Sequence, residues 1–303
     1  VLTIKQLEAF YWTSKLGTIS KAGDRIHVTQ SAVTKRLQEV EEISAAALFE
    51  PGPRKNRLTQ KGAELAADCE RLFALLDELD MRKRATTQPA RILHMGLTEL
   101  PAMVMFPEFI RLMKGTYPGI SIHPEVDLSA PLRQKVESGQ LDIAILPDPP
   151  AIEGLARIPL GSVPFGWFAA PGTFRPGTTY ALRDLGVLSV IEQNADSIIT
   201  ELCAQLWENV GIQPARIYGG NNLNALAALI AAGVGISCLP KVMFEHDVQR
   251  GALQLVKTKP EAPSVTYYCC FLKNLHSSLG FAISDIAKQA YARSQGERVA
   301  SSK

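Results

Sequence analysis

The stretch Thr18-Ile-Ser-Lys-Ala-Gly-Asp-Arg-Ile-His-Val-Thr-Gln-Ser-Ala-Val-Thr-Lys-Arg-Leu-Gln-Glu-Val-Glu41 decides how the first part of this chain is read. It divides into two short helices joined by a tight turn. At about 100° per residue, Val33, Leu37 and Val40 fall on one side of the second helix and pack against Ile19, Ala22 and Ile26 of the first. The opposite side carries Ser31, Thr34, Lys35 and Gln38. Thr29 stands where an N-cap belongs, with Gln30 and Ser31 in the first turn. In a helix-turn-helix, such first-turn residues enter a DNA major groove first. Gln and Ser hydrogen-bond base edges, Thr adds a methyl and a hydroxyl, and Lys35 reaches a guanine or a phosphate. The alternative, for this segment alone, is the solvated polar face of an ordinary surface helix.

The flanks favour the DNA reading. Upstream, Ile4, Leu7, Phe10 and Tyr11 recur at helical spacing and supply a third helix for the small core. Downstream, Leu48-Phe49 leads into Glu50-Pro-Gly-Pro-Arg-Lys-Asn-Arg-Leu-Thr59, a turn-rich segment that reads as a wing. Its Arg54, Lys55 and Arg57 suit phosphates or a minor groove; a solvated charged loop is the commoner source of such a run when it stands alone. Residues 1–62 hold ten Lys and Arg against six Asp and Glu, whereas the rest hold 22 against 24, so the basic character lies at the N-terminal end.

The run from Leu7 through the helix-turn-helix, the Leu48-Phe49 pair and Arg57-Leu-Thr-Gln-Lys-Gly62 resemble the N-terminal domain of the LysR-type transcriptional regulators. This chain departs from that pattern with Ser31 where the family usually has Pro and Ala45 where it usually has Gly. Pro51 replaces an Arg after the Leu-Phe pair, where a phosphate contact is expected.

With 303 residues, 46% hydrophobic and 20% charged, the chain has material for two or three cores. Residues 59–84 contain no Pro and place Leu65, Cys69, Leu72, Leu76 and Leu79 at alternating four- and three-residue steps. Such a narrow seam predicts dimerisation through Leu65, Leu72, Leu76 and Leu79 with the same helix of a second copy; a helix packed into the chain's own core is the alternative. Two copies about one helical turn apart would read two half-sites. Residues 86–89 form a hinge-like break.

Beyond residue 90 the pattern alternates. Strands are expected at 92–97, 120–126 and 141–146, with helices at 101–113 and 131–138 between them. A second round has strands at 165–170, 187–192, 216–218 and 235–239, with helices at 198–209 and 224–232. A strand at 265–272 and a helix at 279–293 close the chain. This α/β order predicts a mainly parallel sheet. Gly139-Gln-Leu-Asp-Ile-Ala-Ile-Leu146 and Ala231-Ala-Gly-Val-Gly-Ile-Ser-Cys-Leu-Pro240 resemble the effector-binding domain of the same family, itself similar to type 2 periplasmic binding proteins. The expected organisation is a winged helix-turn-helix over 1–58, a linker helix and hinge over 59–86, one lobe over 87–163 and 268–303, and a second over 164–267.

In two-lobed α/β folds, small molecules lie where strands end and helices begin. Thr98 and Glu99, Asn194 and Ser197, and Asn222 fall at such places, and each is equally a candidate helix cap. The resemblance places Thr98, Ser129, Ser197 and Asn222 along the effector cleft. No Arg or Lys falls near these strand ends, so a small carboxylate held by backbone dipoles or a neutral polar molecule is expected. Glu99 disfavours a di-anion and welcomes an amine, unless it is only a solvated first-turn residue.

Enzymatic readings find no catalytic set. Gly233-Val-Gly-Ile-Ser-Cys238 lacks the third glycine of a dinucleotide loop and suggests close backbone packing, and Gly235-Ile-Ser-Cys-Leu239 lacks the last glycine of a nucleophile elbow. The five histidines are scattered in sequence, so neither a metal nor another cofactor is expected. Five cysteines, with only Cys269 and Cys270 adjacent, fit reduced thiols better than a disulfide framework. Without a basic leader or an apolar run of about 18 residues, a cytoplasmic location without membrane contact is expected. The resemblance implies a sequence-specific transcriptional regulator, activator or repressor, with double-stranded promoter DNA, a small-molecule effector, further copies of itself up to a tetramer, and RNA polymerase as partners. The rival reading is a solute-binding module whose winged domain serves only assembly.

Overall fold

The computed structural model describes residues 1–50, 57–82, 91–147, 150–195 and 197–301. Three helices open the chain: α1 (Ile4–Leu16), α2 (Ile19–Arg25) and α3 (Gln30–Ser44). Each start has a chemical reason. Thr3 and Gln6 form a capping box on α1, and the hydroxyls of Thr18 and Thr29 accept from the amides of Lys21 and Ala32 at the heads of α2 and α3. Phe10, Ala22, Val33, Val40 and Leu48 are buried together, so the spacing argument for the two inward faces holds. Phe49 and Leu58 form an antiparallel bridge, and the Glu50 amide donates to the Arg57 carbonyl at 2.7 Å. This is the base of the expected wing. Arg54 and Lys55 lie outside the described residues.

Helix α4 (Gln60–Arg82) starts under the Thr59 hydroxyl, which accepts from the Gly62 amide at 3.0 Å. It runs so close to the wing base that a Cβ on Gly62 would lie 2.1 Å from the Leu48 carbonyl oxygen. Its first half joins the N-terminal core: Ala66 and Cys69 are buried there, Leu65 packs against the same cluster, and the Phe73 and Tyr11 rings meet at 5.2 Å. The expectation of one continuous intermolecular seam is corrected here, because Leu65 and Cys69 have apolar partners inside their own chain. Leu72 and Leu76 are half-buried and Leu75 is 59% exposed. The Leu79 side chain lies outside what is described.

The remaining elements are β1 (Arg91–Leu97), α5 (Glu99–Val104), α6 (Phe106–Thr116), β2 (Ile120–Val126), α7 (Ser129–Glu137), β3 (Ile143–Pro147), β4 (Leu155–Ala169), β5 (Thr179–Ala181), α8 (Leu182–Leu185), β6 (Val190–Glu192), α9 (Ile198–Asn209), β7 (Arg216–Tyr218), α10 (Leu223–Ala231), β8 (Ser237–Pro240), α11 (Lys241–Gln249), β9 (Gln254–Lys259), β10 (Ser264–Leu272) and α12 (Lys273–Ser301). The largest sheet runs β2-β1-β3-β10-β4-β9-β5, with β8 also on β4. Strand β1 is parallel to β2 and β3, but β10 is antiparallel to both β3 and β4. The sheet is therefore mixed, which corrects the mainly parallel expectation. Strand β4 spans 15 residues; its first part pairs with β10, and beyond Pro164 it pairs with β8 and β9. Only its second part was legible, because Pro159, Gly161 and Pro164 interrupt the pattern. The expected 101–113 helix is two helices divided at Met105, and the last helix extends well beyond 279–293 to pack along α4. A Cβ on Gly235 would lie 2.2 Å from the Ser189 carbonyl oxygen, so that glycine serves backbone packing, as its sequence suggests.

Helix α3 ends on Ala45 in the left-handed region, with φ +48°. A side chain there costs roughly 1–2 kcal/mol, whereas glycine adopts the conformation freely. Ala45→Gly is expected to stabilise the chain by about 1 kcal/mol in urea denaturation, after part of the gain is lost to glycine's larger unfolded-state entropy. An unchanged or lower midpoint would mean that the cap is not strained.

Candidate nucleic-acid face and ligand cleft

With Val33 and Val40 fully buried, α3 presents Gln30, Ser31, Thr34, Lys35 and Gln38 to solvent, and Thr29 at its head is exposed as well. Some of their polar groups are engaged locally. The Thr34 hydroxyl donates to the Gln30 carbonyl at 2.9 Å, Gln30 Nε2 donates to Ser20 Oγ at 3.0 Å, and Thr29 Oγ1 and Ser31 Oγ lie 2.9 Å apart. Thr34 and Lys35 are both exposed, with the Thr34 hydroxyl engaged by the helix itself. The Arg57 side chain is 76% exposed at the wing base, 3.6 Å from Glu50.

A cleft of about 540 Å³ opens between the heads of α5 and α7 on one side and of α9 and α10 on the other. Thr98, Glu99, Ser129, Ser197 and Asn222, five of the expected residues, line it. Asn194 does not line it, which is a correction: its amide donates to Asn221 Oδ1 at 3.1 Å, and Gln193 and Asn221 supply the wall. Gln193 ties that wall together, accepting from the Ser197 hydroxyl at 2.7 Å and donating to the Asn221 carbonyl at 3.0 Å. Thr98 precedes α5 without capping it, and its hydroxyl is buried with no hydrogen-bond partner. Sequence reasoning missed Asp127, Phe165 and Tyr267. Asp127 follows β2 as Thr98 follows β1, so the strand-end rule could have found it. The two aromatic residues lie on long strands and carry no such signal.

Glu99 governs the electrostatics. Its carboxylate reaches across the cleft, accepting from Asn222 Nδ2 at 3.0 Å and from the Leu223 amide at 2.9 Å. It thus sits on the N-terminus of α10, where the helix dipole favours negative charge. Burial still raises its pKa, partly countered by the Leu223 N–H. Asp127 adds a second carboxylate, 3.8 Å from Lys135, and no Lys or Arg stands among the described lining residues.

All five cysteines are buried. Burial pushes the thiol of Cys69 up to about 11 and that of Cys269 up to about 12, and it raises those of Cys238 and Cys270 as well. Such thiols stay protonated near neutrality and are poor nucleophiles. Among the described residues, no group of three or more His, Cys, Asp or Glu could hold a metal ion.

Two family models match this chain. Residues 4–63 match the lysR-family bacterial regulatory helix-turn-helix protein, and residues 86–284 match the LysR substrate binding domain. The HTH-type transcriptional regulator BbuR of Bordetella bronchiseptica is 25% identical over 252 residues, covering 82% of this chain and 77% of that protein. A full-length OxyR variant from Pseudomonas aeruginosa superposes with a TM-score of 0.65 at 17% identity, over 96% of this chain and 98% of that one. The regulatory domain of Synechocystis CcmR, solved with 2-PG, gives 0.59 at 17% identity, over 66% of this chain and 97% of that one.

The Thr98 hydroxyl has no partner to lose, so Thr98→Val is expected to change stability by less than about 1 kcal/mol in thermal unfolding. A larger loss would show that the hydroxyl is bonded in the native state.

Proposed function

Because this chain belongs to the LysR family of bacterial transcriptional regulators, we propose that it reads promoter DNA through the outer face of α3 and the wing, under the control of a small molecule held in the cleft. The observation that carries the reading is the pairing, in one chain, of an exposed polar and basic face on α3 with a two-walled cleft at helix N-termini. Gln30, Ser31, Thr34, Lys35 and Gln38 supply base and phosphate contacts, Thr29 holds the helix head, and Arg54, Lys55 and Arg57 reach flanking phosphates. Two copies pair along α4, with Leu72, Leu76 and Leu79 as the apolar contacts that remain once Leu65 has turned inward, and dimers associate further through the effector domains. RNA polymerase is the partner through which binding becomes transcription. No catalytic role is assigned to any residue, and among the described residues no helix is long and apolar enough to cross a membrane.

Thr98, Glu99, Ser129, Ser197 and Asn222, joined by Gln193 and Asn221 in place of Asn194, contact the effector. Glu99 already occupies the head of α10, and no described Lys or Arg lines the cleft to receive an anion. The effector is therefore a neutral polar molecule or an amine, which meets the carboxylates of Glu99 and Asp127. Its binding favours one spacing of the two DNA-reading domains over another, to the extent of its differential affinity for the two arrangements.

Mapping of bound sites in the native cell is expected to find a few discrete, near-palindromic sites. On one of these, Thr34→Ala/Lys35→Ala should lose about tenfold or more in affinity at fixed salt, with a salt slope lower by about one. Parental affinity in the double variant would refute the groove assignment. Leu72→Asp/Leu76→Asp should lower the mass seen in sedimentation. A thermal-shift screen of small amines, neutral polyols and carboxylates tests the effector class. A ligand at about 100 times its Kd adds roughly 2.7 kcal/mol, a shift of several degrees, and the amine or neutral set should contain it. Stabilisation by carboxylates alone, strengthened in Glu99→Gln, would reverse that assignment.

A further inference from the structure

Three of the five histidines, dispersed in sequence, meet in space. The parallel register of β1 and β2 puts His94 beside His123, and their rings lie 5.6 Å apart. His27, in the turn between α2 and α3, brings its ring to 5.6 Å from His94 and 5.9 Å from His123. On the other side of His94, Asp142 is locked to β1: its amide donates to the His94 carbonyl at 2.9 Å, and its Oδ2 accepts from the His94 amide at 2.8 Å. Asp142 Oδ1 pairs with the guanidinium of Arg25, the last residue of α2, with only 9% of the Arg25 side chain and 1% of the Asp142 side chain exposed. The guanidinium also lies 4.4 Å from the centroid of Trp12 on α1. Two segments 117 residues apart in sequence are thus joined by one buried ion pair beside a cluster of three imidazoles.

We propose that Arg25, His27, His94, His123 and Asp142 form a proton-responsive clasp that fixes the helix-turn-helix domain against the first lobe and releases it on acidification. The charged groups acting on His94 are Arg25 from α2 and Asp142 ahead of β3, paired with one another, with the His27 and His123 rings beside them; Glu125, two residues beyond His123 on β2, pairs with Lys135. A proton added to His94 therefore places a positive charge beside Arg25 and beside the other two rings. His94 resists that charge: burial, then Arg25, hold its pKa down to about 4, with smaller contributions from His27 and His123 and an opposing one from Asp142. With the clasp open, His94 sheds part of that burial and returns toward the ordinary histidine value of about 6.5. As pH falls from about 6.5 toward 4, the released state takes up the proton that the clasped state refuses. The balance shifts toward release by up to tenfold per pH unit for each such proton.

Release does not uncover the α3 face, which is exposed while the clasp is shut. Helix α12 still packs along α4, and Leu272 at the end of β10 rests on the N-terminal core, so the domain pivots on these contacts. Acidification would re-aim the DNA-reading face relative to the lobe, independently of the cleft. The inference rests on the proposed function only where it calls that domain a DNA reader, and its test uses no DNA.

The test is hydroxyl-radical footprinting of the full chain at Trp12 between pH 8 and pH 5, with circular dichroism to follow folding. In the parent, modification at Trp12 should rise severalfold as pH falls below about 6.5. Asp142→Asn should show the high rate already at pH 8. The triple variant His27→Gln/His94→Gln/His123→Gln should stay flat, and the single exposed-site variant His123→Gln should open at a lower pH than the parent. A flat parent, or a triple variant that follows the parent curve, overturns the proposal. If the triple variant fails to fold, the comparison of parent with His123→Gln decides: an unshifted midpoint rejects the clasp.

Discussion

The antiparallel pairing of β4 with β10 is the constraint on which the two-lobed half depends. The pairing runs from Leu155 opposite Leu272 to Pro164 opposite Ser264, with one bulge at Leu160 where the register shifts between Tyr267 and Tyr268, and β4 then continues into the second lobe against β8 and β9. Two covalent crossings bonded to one another keep the lobes facing each other while leaving the space between them open. Strands β1, β2, β6 and β7 each end by delivering the next helix head, of α5, α7, α9 and α10, to that space. The cleft is thus a consequence of where the sheet changes partners, in the manner of binding crevices in open α/β sheets.

That placement explains the small polar residues that stand at the helix heads among an otherwise largely apolar lining. Helix heads leave amides without intrahelical partners, and Ser, Thr and Asn are the side chains that serve them best. Only Asn222 performs that service here, accepting from the Ala225 amide at 2.8 Å, whereas Thr98 and Ser197 stand at cap positions without a capping bond. Sequence alone could not separate capping from ligand contact. The Glu99 carboxylate takes one of the free amides of α10 and ties the two walls together.

Much of the fold was legible because its signals are local. Thr18 and Thr29 announce helix starts through their own hydroxyls, and the 3.6-residue period of Val33, Leu37 and Val40 fixes the inward face of α3. The strand at 120–126 and the helix at 198–209 stand at their expected bounds. The illegible parts depend on partners distant in sequence. The direction of β10 cannot be read from its residues, and the first part of β4 hides behind Pro159 and Pro164, which are tolerated because the strand bends and changes partners there. The heptad pattern of α4 is real, but a hydrophobic stripe does not say which surface covers it; Tyr11 and the wing base claim its first half. Asp127 was within reach of the strand-end rule, whereas Phe165 and Tyr267 enter the cleft through register alone.

Asp142 shows how one motif residue serves two levels of structure. Its place in the Gly139-Gln-Leu-Asp-Ile run reads as the approach to a core strand, and its two hydrogen bonds with His94 fit that role. Burying a carboxylate is costly unless its charge is matched, and the His94 amide gives Asp142 a hydrogen bond without a formal charge. The match comes from Arg25 in the other domain, whose own charge is stripped of water by the same contact and covered by Trp12. Neither charge can be withdrawn cheaply while the other stays buried, so the contact behaves as formed or broken rather than as a graded attraction. An interface of that kind can transmit a change in orientation, because the intermediate arrangement, with one ion buried and unpaired, is the one the chain avoids.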